Sequence, residues 1–248
     1  MLDLNRQVVV ITGASSGIGA ALAVEASLAG ARVVLAARRL DRLERVARDC
    51  AGENFILSTD LTVGADRQAL VERTLERFHR IDILINNAGL GAYAHFLETE
   101  EKTWRRLFEI NLLAPVLLTK LVVPHMLEKA SGVVVNLASI GGLIAHSDRV
   151  SAYVASKHAI VGFTRGLAKD LDGSGVRVLA ACPHLTDTDF FDTSLGAGEM
   201  APMVDKLRPS MDRASDVARG ILAHLDSGKT VVFPTDIPAR AYAKQKDF

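Results

Sequence analysis

The chain has 248 residues, 49% of them apolar and 23% charged, and its 29 basic and 29 acidic side chains give a formal net charge of zero. This apolar content excludes intrinsic disorder, because its burial can offset the entropy lost on folding. A neutral chain also lacks the general attraction for nucleic acid or anionic lipid, so neither is expected as a partner.

Short runs rich in β-branched residues alternate with longer helical stretches. In chain order we predict strand 8–12, helix 20–29, strand 32–37, a charged helix to about residue 49, strand 54–58, helix 65–79, strand 81–86, helix 100–129, strand 132–138, helix 151–171, strand 176–182, helix 212–226 and strand 230–233. Pro115 and Pro124 should kink or interrupt the long helix. The alternation predicts an α/β fold, a single doubly wound domain over 1–248 with a mostly parallel sheet, and ligands at the carboxyl ends of its strands.

A glycine-rich loop follows the first strand, with the sequence Thr12-Gly13-Ala14-Ser15-Ser16-Gly17-Ile18-Gly19. Glycine permits a tight turn and close approach of a ligand to the backbone. The helix beyond it offers unpaired N–H groups to a pyrophosphate. The spacing G-x-x-x-G-x-G differs from the commonest fingerprint, but its place between strand and helix favours a dinucleotide site over a purely structural turn.

The end of the second strand indicates which dinucleotide is bound. NAD-binding folds place an acidic residue there to hold the ribose 2′-hydroxyl. Here Ala37 occupies that position, followed by Arg38 and Arg39. A guanidinium pairs with a 2′-phosphate that a carboxylate would repel. The sequence therefore favours NADP(H), with NAD(H) as the alternative if Arg38 only begins a solvated helix.

Three side chains suggest acid–base chemistry. Tyr153 and Lys157 are four residues apart and share one helix face. A free tyrosine has a pKa near 10 and is a poor base at neutral pH, and a neighbouring ammonium should lower that value. Ser139 ends the fifth strand, where it is placed to hydrogen-bond the same reacting oxygen.

These motifs, in this order and over nearly the whole chain, resemble the short-chain dehydrogenase/reductase family. They are the glycine loop, Asp60-Leu61, Asn86-Asn87-Ala88-Gly89, Asn111, Ser139 and the segment from Tyr153 to Lys157. The resemblance implies a seven-stranded Rossmann sheet. It also implies that Tyr153 is the general acid/base and that Lys157 lowers its pKa and holds the nicotinamide ribose. Ser139 would orient the substrate oxygen, and Asn111 would organise a water relay toward Lys157.

The glycine loop, the arginines after the second strand and the resemblance together give the candidate cofactor-binding residues: Gly13, Ser15, Ser16, Gly17, Ile18, Gly19, Arg38, Arg39, Asp60, Leu61, Asn87, Ala88, Gly89, Tyr153, Lys157, Pro183 and Thr188. Asp60 and Leu61 would contact adenine, and Thr188 the nicotinamide amide. Without the family, Asn111 would indicate a helix kink or cap, Asp60 a helix cap, and Asn86–Gly89 only the exit from a strand.

Two departures from the family pattern stand out. Pro183 is followed by His184 where a glycine is common, and Ser139 and Tyr153 are one residue further apart than usual. We expect His184 to change the shape of the pocket rather than its chemistry, and the loop 140–151 to absorb the extra residue. His95 and His146 could border the substrate pocket, but no metal-ligand spacing links them and no metal is predicted.

The sequence thus predicts an NADP(H)-dependent oxidoreductase that interconverts a carbonyl and an alcohol. Three alternatives stay open. The first is epimerisation or dehydration with a bound cofactor. The second is a 3-oxoacyl-carrier-protein reductase, for which Arg105 and Arg106 are a candidate docking patch. The third is a non-catalytic redox sensor, against which the complete set of Ser139, Tyr153 and Lys157 argues.

Residues 184–210 look irregular, with Gly196 and Gly198, and are predicted to form a mobile lid. Six apolar residues there favour an apolar substrate: Leu185, Phe190, Phe191, Leu195, Met200 and Met203. The helices 100–129 and 151–171 resemble the surfaces through which family members form dimers and tetramers, so a homodimer or homotetramer is expected. No signal peptide or membrane-spanning helix is predicted, and a cytoplasmic location is expected.

Overall fold

The computed structural model describes residues 2–145 and 147–245. Within these ranges, seven strands form one sheet in which every pairing is parallel. The strands are Val8–Thr12 (β1), Arg32–Ala37 (β2), Asn54–Ser58 (β3), Ile83–Asn86 (β4), Gly132–Leu137 (β5), Val176–Ala181 (β6) and Val231–Val232 (β9). Thr186–Asp187 (β7) and Asp212–Arg213 (β8) pair separately. The expected parallel sheet of seven strands is confirmed.

The α-helices alternate with the strands along most of the chain, and the last helix follows the last strand. The helices are Gly17–Leu28 (α1), Leu40–Asp49 (α2), Gly64–Phe78 (α3), Glu101–Phe108 (α4), Ala114–Glu128 (α5), Ser151–Asp170 (α6), Phe190–Thr193 (α7), Ala197–Leu207 (α8), Ala214–Ala223 (α9) and Asp236–Gln245 (α10). The predicted helix 212–226 begins later than expected because Asp212 and Arg213 pair with β7.

The apolar run of β1 explains why helices cover both faces of the sheet. All five of its residues are buried. Val9 and Ile11 point to one side, into a core with residues of α1 and α9. Val8 and Val10 point to the other, into a core with residues of α3 and α5. A strand that is apolar at every position is typical of a parallel sheet buried on both faces.

The order of the strands in the sheet shows where a ligand crevice is expected. The sheet runs β3-β2-β1-β4-β5-β6-β9, so the chain changes direction across the sheet between β1 and β4. In such sheets the ligand lies at the carboxyl ends of the strands beside that reversal. Along that edge the loops therefore follow in the order Asp60, Arg38, Gly13, Asn87, Ser139 and Pro183.

The long predicted helix is interrupted at Asn111. A π-helical turn, Glu109–Leu113, separates α4 from α5, and the Ala114 N–H donates to the Glu109 carbonyl five residues back. Pro115, in the first turn of α5, has no N–H to donate to the carbonyl of Asn111. Pro124 lies inside α5, which continues to Glu128. Pro124 therefore does not interrupt the helix, and a kink at that position stays a prediction.

The same helical stretch is the longest apolar segment of the structure. Glu101–Glu128 is long and apolar enough to cross a membrane by length and composition, with a mean hydropathy of 1.6, and 44% of that window is buried. A core helix passes the same test, and α5 packs Leu118, Val122 and Met126 into the core beneath the sheet.

Residues 184–210 are more regular than predicted. They contain α7, α8 and a 3₁₀ turn, Arg208–Ser210. Gly196 precedes α8 with φ of +79°, and a side chain there would collide with the carbonyl of Tyr93. The segment thus folds back as two short helices against residues 91–93.

Candidate active site

The glycine loop is packed so tightly that two of its positions exclude side chains. Gly13 has φ of +65°, and a Cβ atom there would lie 2.8 Å from the Cα atom of Ala88. A Cβ atom on Gly19 would collide with the amide nitrogen of Asn87 and with the carbonyl of Gly13. The loop after β1 is therefore held directly against the loop after β4.

Polar contacts of Thr12 and Asn87 join the same two loops. The Asn87 side chain donates to the Thr12 carbonyl at 2.8 Å and to the Gly13 carbonyl at 3.3 Å. The Thr12 hydroxyl oxygen accepts the backbone N–H groups of Asn87 and Ala88 at 3.0 and 3.1 Å. Sequence reasoning gave Thr12 no role of its own, although a threonine that ends a buried strand just before the glycines was the available signal.

A cavity of about 680 Å³ opens along this edge of the sheet. That volume is in the usual range for small-molecule sites. Of the predicted cofactor-binding residues, Gly19 is not among those that line the cavity. The others line the cavity: Gly13, Ser15, Ser16, Gly17, Ile18, Arg38, Arg39, Asp60, Leu61, Asn87, Ala88, Gly89, Tyr153, Lys157, Pro183 and Thr188.

Ser139, Tyr153 and Lys157 meet at the middle of this cavity. Ser139 lies two residues after the end of β5, and its hydroxyl oxygen accepts the Gly141 N–H at 3.1 Å. Lys157 is 4% exposed, and its ammonium donates to the Leu137 carbonyl at 2.7 Å. The Lys157 Nζ atom lies 5.8 Å from the centre of the Tyr153 ring. β5 and α6 together thus bring a hydroxyl, a phenol and an ammonium to one wall.

The electrostatics of this trio differ from the expectation. Burial raises the pKa of Tyr153 to about 12, although a hydrogen bond with Ser139 acts in the opposite direction. Burial also lowers the pKa of Lys157 to about 8. The expected lowering of the tyrosine pKa is therefore wrong for this structure, because loss of hydration dominates and the ammonium is directed at the Leu137 carbonyl. At neutral pH the phenol keeps its proton and is suited to donate it.

Asn111 lies behind the trio rather than in the cavity wall. Its side-chain amide accepts the Leu90 N–H at 2.8 Å and donates to the Leu90 carbonyl at 2.9 Å. It also donates to the Ser156 hydroxyl at 3.0 Å, and Ser156 donates to the Tyr153 carbonyl at 2.7 Å. The π turn thus holds the loop after β4 and helix α6 in register, while the water relay stays a prediction.

Charged side chains surround the loops after β2 and β3. The Arg39 guanidinium donates to the hydroxyls of Ser15 and Ser16 at 3.3 and 3.5 Å. Asp60 accepts the Thr62 N–H at 3.0 Å and the Thr62 hydroxyl at 2.7 Å. These bonds lower the pKa of Asp60, and the charges of Arg38 and Arg106 act in the same direction. The carboxylate is thus ionised and already engaged by Thr62.

Arg105 and Arg106 do not form the common patch that the sequence suggested. Arg105 pairs with Glu101 at 2.6 Å on the exposed side of α4. Arg106 lines the cavity instead. The sequence could not show that Arg106 lines the cavity. Adjacent side chains on a helix point about 100° apart, and only the position of α4 beside the cavity shows that Arg106, rather than Arg105, faces it.

The segment after β6 closes the other side of the site. The Pro183 carbonyl accepts the Ile140 N–H at 2.8 Å, which ties it to the loop that carries Ser139. A Cβ atom on Gly17 would lie 3.2 Å from the Cβ atom of Thr188, so this threonine lies against the glycine loop. His184 is half-buried and lines the cavity.

Two further histidines, His95 and His146, were candidates for the border of the substrate pocket. His95 does not lie among the lining residues, and its Nδ1 atom accepts the Leu97 N–H at 3.4 Å at the start of a 3₁₀ turn. Its expected place at the pocket border is wrong. His146 lies outside the described residues.

The lid segment supplies an apolar wall. Of its six apolar residues, Leu185, Phe190, Phe191, Met200 and Met203 line the cavity. Leu195 does not; its backbone pairs with Gly91 and Tyr93 at 3.0 and 2.8 Å and pins the segment down. Val204 and Leu207 were missed, although Met200, Met203, Val204 and Leu207 follow the i, i+3, i+4, i+7 pattern of one helix face.

The comparisons with known proteins agree with this geometry. The family model described as short chain dehydrogenase matches residues 7–196. The human protein named dehydrogenase/reductase SDR family member 7 is 39% identical over 210 residues, which are 82% of this chain and 61% of the human protein. The chain thus matches less than two thirds of that relative's length.

Two solved structures are similar over nearly their whole length. A short-chain dehydrogenase/reductase from Burkholderia phymatum, in complex with NAD, superposes with a TM-score of 0.88 at 27% identity and covers 100% of this chain and 95% of its own. A 3-ketoacyl-(acyl-carrier-protein) reductase from Brucella melitensis, complexed with NADH, gives a TM-score of 0.81 at 28% identity and covers 93% of this chain and 95% of its own.

Proposed function

Because the chain belongs to the short-chain dehydrogenase/reductase family, we propose that this oxidoreductase uses NADP(H) to interconvert an apolar carbonyl compound and its alcohol. The observation that carries the proposal is the meeting of Ser139, Tyr153 and Lys157 on the wall of one cavity. On one side of this trio lie the glycine loop and the arginines, and on the other lies the apolar lid segment. This arrangement would let a nucleotide bind on one side of the trio and an apolar substrate on the other.

The residues present fit a nicotinamide dinucleotide. Gly13 lines the cavity, and the absence of a side chain lets its loop pack closely against Ala88. Ser16 precedes α1, and among the described residues its hydroxyl caps none of the first N–H groups of that helix. Those groups and the positive end of the helix dipole suit a pyrophosphate.

The preference for NADP(H) rests on the loop after β2. Ala37 leaves no carboxylate for the ribose hydroxyls, and the exposed Arg38 and Arg39 border the cavity there. The two similar structures named above hold NAD and NADH, which supports a nicotinamide cofactor but not this preference. The arginines supply the finer argument, because a guanidinium pairs well with a phosphate.

The acid–base roles follow from the pKa values and contacts. When bound, the nicotinamide cofactor supplies or accepts a hydride. Tyr153 keeps its proton at neutral pH and donates it to the oxygen of a carbonyl substrate, while Ser139 hydrogen-bonds the same oxygen. Once Tyr153 has donated its proton, its side chain is a phenolate. The Lys157 ammonium, which donates to the Leu137 carbonyl, stabilises that negative charge. In the oxidation direction the same groups take the proton back.

The lid segment indicates the substrate. Phe190 lies with its ring centre 5.9 Å from that of Tyr153, and Met200 and Met203 continue the wall away from it. Methionine side chains adapt to ligands of irregular shape. We therefore expect a ketone or secondary alcohol with an apolar body several carbons long. The oligomer and the cytoplasmic location stay predictions.

A substrate screen tests this function. Ketones of one chemical series and increasing apolar length are offered with NADPH and with NADH, and oxidation of the cofactor is followed by absorbance. We expect kcat/KM to rise with apolar length and to be higher with NADPH. Product formed without net cofactor turnover would favour epimerisation or dehydration instead, and cofactor binding without turnover of any substrate would favour a redox sensor.

A further inference from the structure

A third arginine faces the nucleotide end of the cavity, from a helix outside the nucleotide-binding loops. Arg106 lies in α4, one helical turn before Ile110, and both residues line the cavity. Arg38 and Arg39 border the same cavity from the loop after β2. Three guanidinium groups from two separate elements thus face one opening.

Arg106 and its neighbour Arg105 differ in their ion pairs. Arg105 forms an ion pair with Glu101 one turn earlier in α4. Within residues 2–145 and 147–245, Arg106 and Arg38 form no ion pair. The carboxylate between them, that of Asp60, is occupied by two hydrogen bonds from Thr62. The field at this opening is therefore positive, and its cations are available to a ligand.

We propose that Arg106 is a specificity-determining residue for the 2′-phosphate of the cofactor, acting across the cavity from Arg38. The inference rests on the proposed use of NADP(H). A phosphate monoester at this place would carry nearly two negative charges, so a cation on the far wall attracts it even without direct contact. NADH carries no charge there and gains nothing from that attraction.

Two nucleotides that differ only in the 2′-phosphate isolate this effect from the rest of the cofactor. The dissociation constants of adenosine 2′,5′-bisphosphate and 5′-AMP are measured by calorimetry for the wild type, Arg106→Gln and Arg105→Gln. The ratio of the two constants reports the discrimination. We expect Arg106→Gln to reduce the ratio about three- to tenfold and Arg105→Gln, the matched control, to leave it unchanged. Added salt should shrink the wild-type ratio, because screening weakens an attraction across several ångströms.

The outcomes separate this proposal from the one it rests on. Equal weakening of both nucleotides by Arg106→Gln would show that Arg106 acts on a group that both share, such as adenine or the 5′-phosphate, and would overturn the proposal. If Arg38→Ala reduces the ratio but Arg106→Gln does not, Arg106 has no part in specificity while the preference for NADP(H) stands. If the wild type itself does not discriminate, both proposals fail together. Circular dichroism of each variant checks that the fold is kept.

Discussion

The two ends of the cavity are held by different interactions. At the nucleotide end, Thr12 and Asn87 join the loops after β1 and β4 through backbone groups at 2.8–3.3 Å. At the lid end, the segment after Pro183 is attached to the rest of the chain by ion pairs of exposed side chains, such as Arg42 with Asp189 at 3.2 Å and Arg149 with Glu199, and by the backbone bonds of Leu195 with Gly91 and Tyr93. Partly buried backbone bonds are hard to replace with water, whereas exposed ion pairs each contribute only about 0–1 kcal/mol.

This difference suggests a division of labour. The nucleotide end is preformed, so the cofactor can bind without rearrangement of the loops that receive it. We expect the lid end to open at lower cost, which would let substrates of different shape enter and products leave. The catalytic trio lies between the two ends of the cavity. Ser139 follows β5, a central strand of the sheet, and Tyr153 and Lys157 belong to α6. The predictions below test each part of this contrast.

The largest effect is expected at the trio. Tyr153→Phe removes the only hydrogen that the ring can donate and keeps the ring that contacts Phe190. We expect kcat to fall about 10²–10⁴-fold with cofactor affinity unchanged, because general acid–base catalysis has that magnitude. Tyr93→Phe is the matched control, since Tyr93 also lines the cavity. Turnover of Tyr153→Phe within threefold of the wild type would exclude this tyrosine as the proton donor.

The next effect tests whether the nucleotide end selects its ligand by charge. Arg38→Ala should weaken NADPH about ten- to a hundredfold and leave NADH nearly unchanged, because hydrogen bonds to charged groups contribute about 1.5–3 kcal/mol. Ala37→Asp should move the preference further toward NADH. Dissociation constants of both cofactors provide the measurement. Arg45→Ala, on the exposed side of α2 and paired with Asp41 at 3.9 Å, serves as the control. A wild type that binds both cofactors equally would contradict the assignment.

The contrast between the two ends also explains which parts of the structure the sequence revealed. The sheet and the nucleotide end follow local rules. The unbroken apolar run of β1 requires burial on both faces, and the glycines after it serve a turn with φ above zero at Gly13. Each of these features is visible within a few residues of sequence, so their prediction required no knowledge of distant contacts.

The lid end and the pKa values depend on contacts between distant segments. Gly196, Gly198 and Pro202 indicate irregular chain by propensity, yet α8 forms because its apolar face packs over the cavity. The π turn is signalled only by Asn111, which indicates a kink or cap, and by the nearby Pro115, and neither residue predicts its π geometry. The raised pKa of Tyr153 results from burial that no neighbouring residue in the sequence reveals.

A smaller effect concerns the pH dependence of the trio. The pKa of Lys157 is lowered to about 8, so its positive charge is lost as the pH rises through that value, whereas Tyr153 keeps its proton up to about 12. We expect kcat/KM for reduction to fall above about pH 8, about tenfold for each further pH unit. Lys157→Met should lower kcat/KM for reduction and lose this decline, because no ammonium is left to titrate. A decline that persists in Lys157→Met would assign the titration to another group, such as Tyr153.

The smallest effect concerns the attachment of the lid, and it rests on Arg149. This arginine contacts Glu98 at 3.3 Å and Glu199 in α8, and its guanidinium lies 5.4 Å from the centre of the Tyr93 ring. It thus links α8 to the loop after β4 through side-chain contacts. Hydrogen exchange of residues 188–209 should be among the fastest in the free protein and should slow when NADP and substrate bind.

Loss of this link should loosen α8 without affecting the nucleotide end. Arg149→Met removes contacts worth about 1 kcal/mol in total, because they are partly exposed, so exchange in residues 197–207 of the free protein should accelerate about fivefold. Exchange in the glycine loop should not change. In the control Arg208→Met, the lost partners are Asp187 and Asp192, both within the lid segment itself, and the link to Glu98 is kept. Strong protection of residues 188–209 in the free wild type would contradict a mobile lid. Unchanged exchange in Arg149→Met would show that the backbone bonds of Leu195, rather than this arginine, hold the lid end in place.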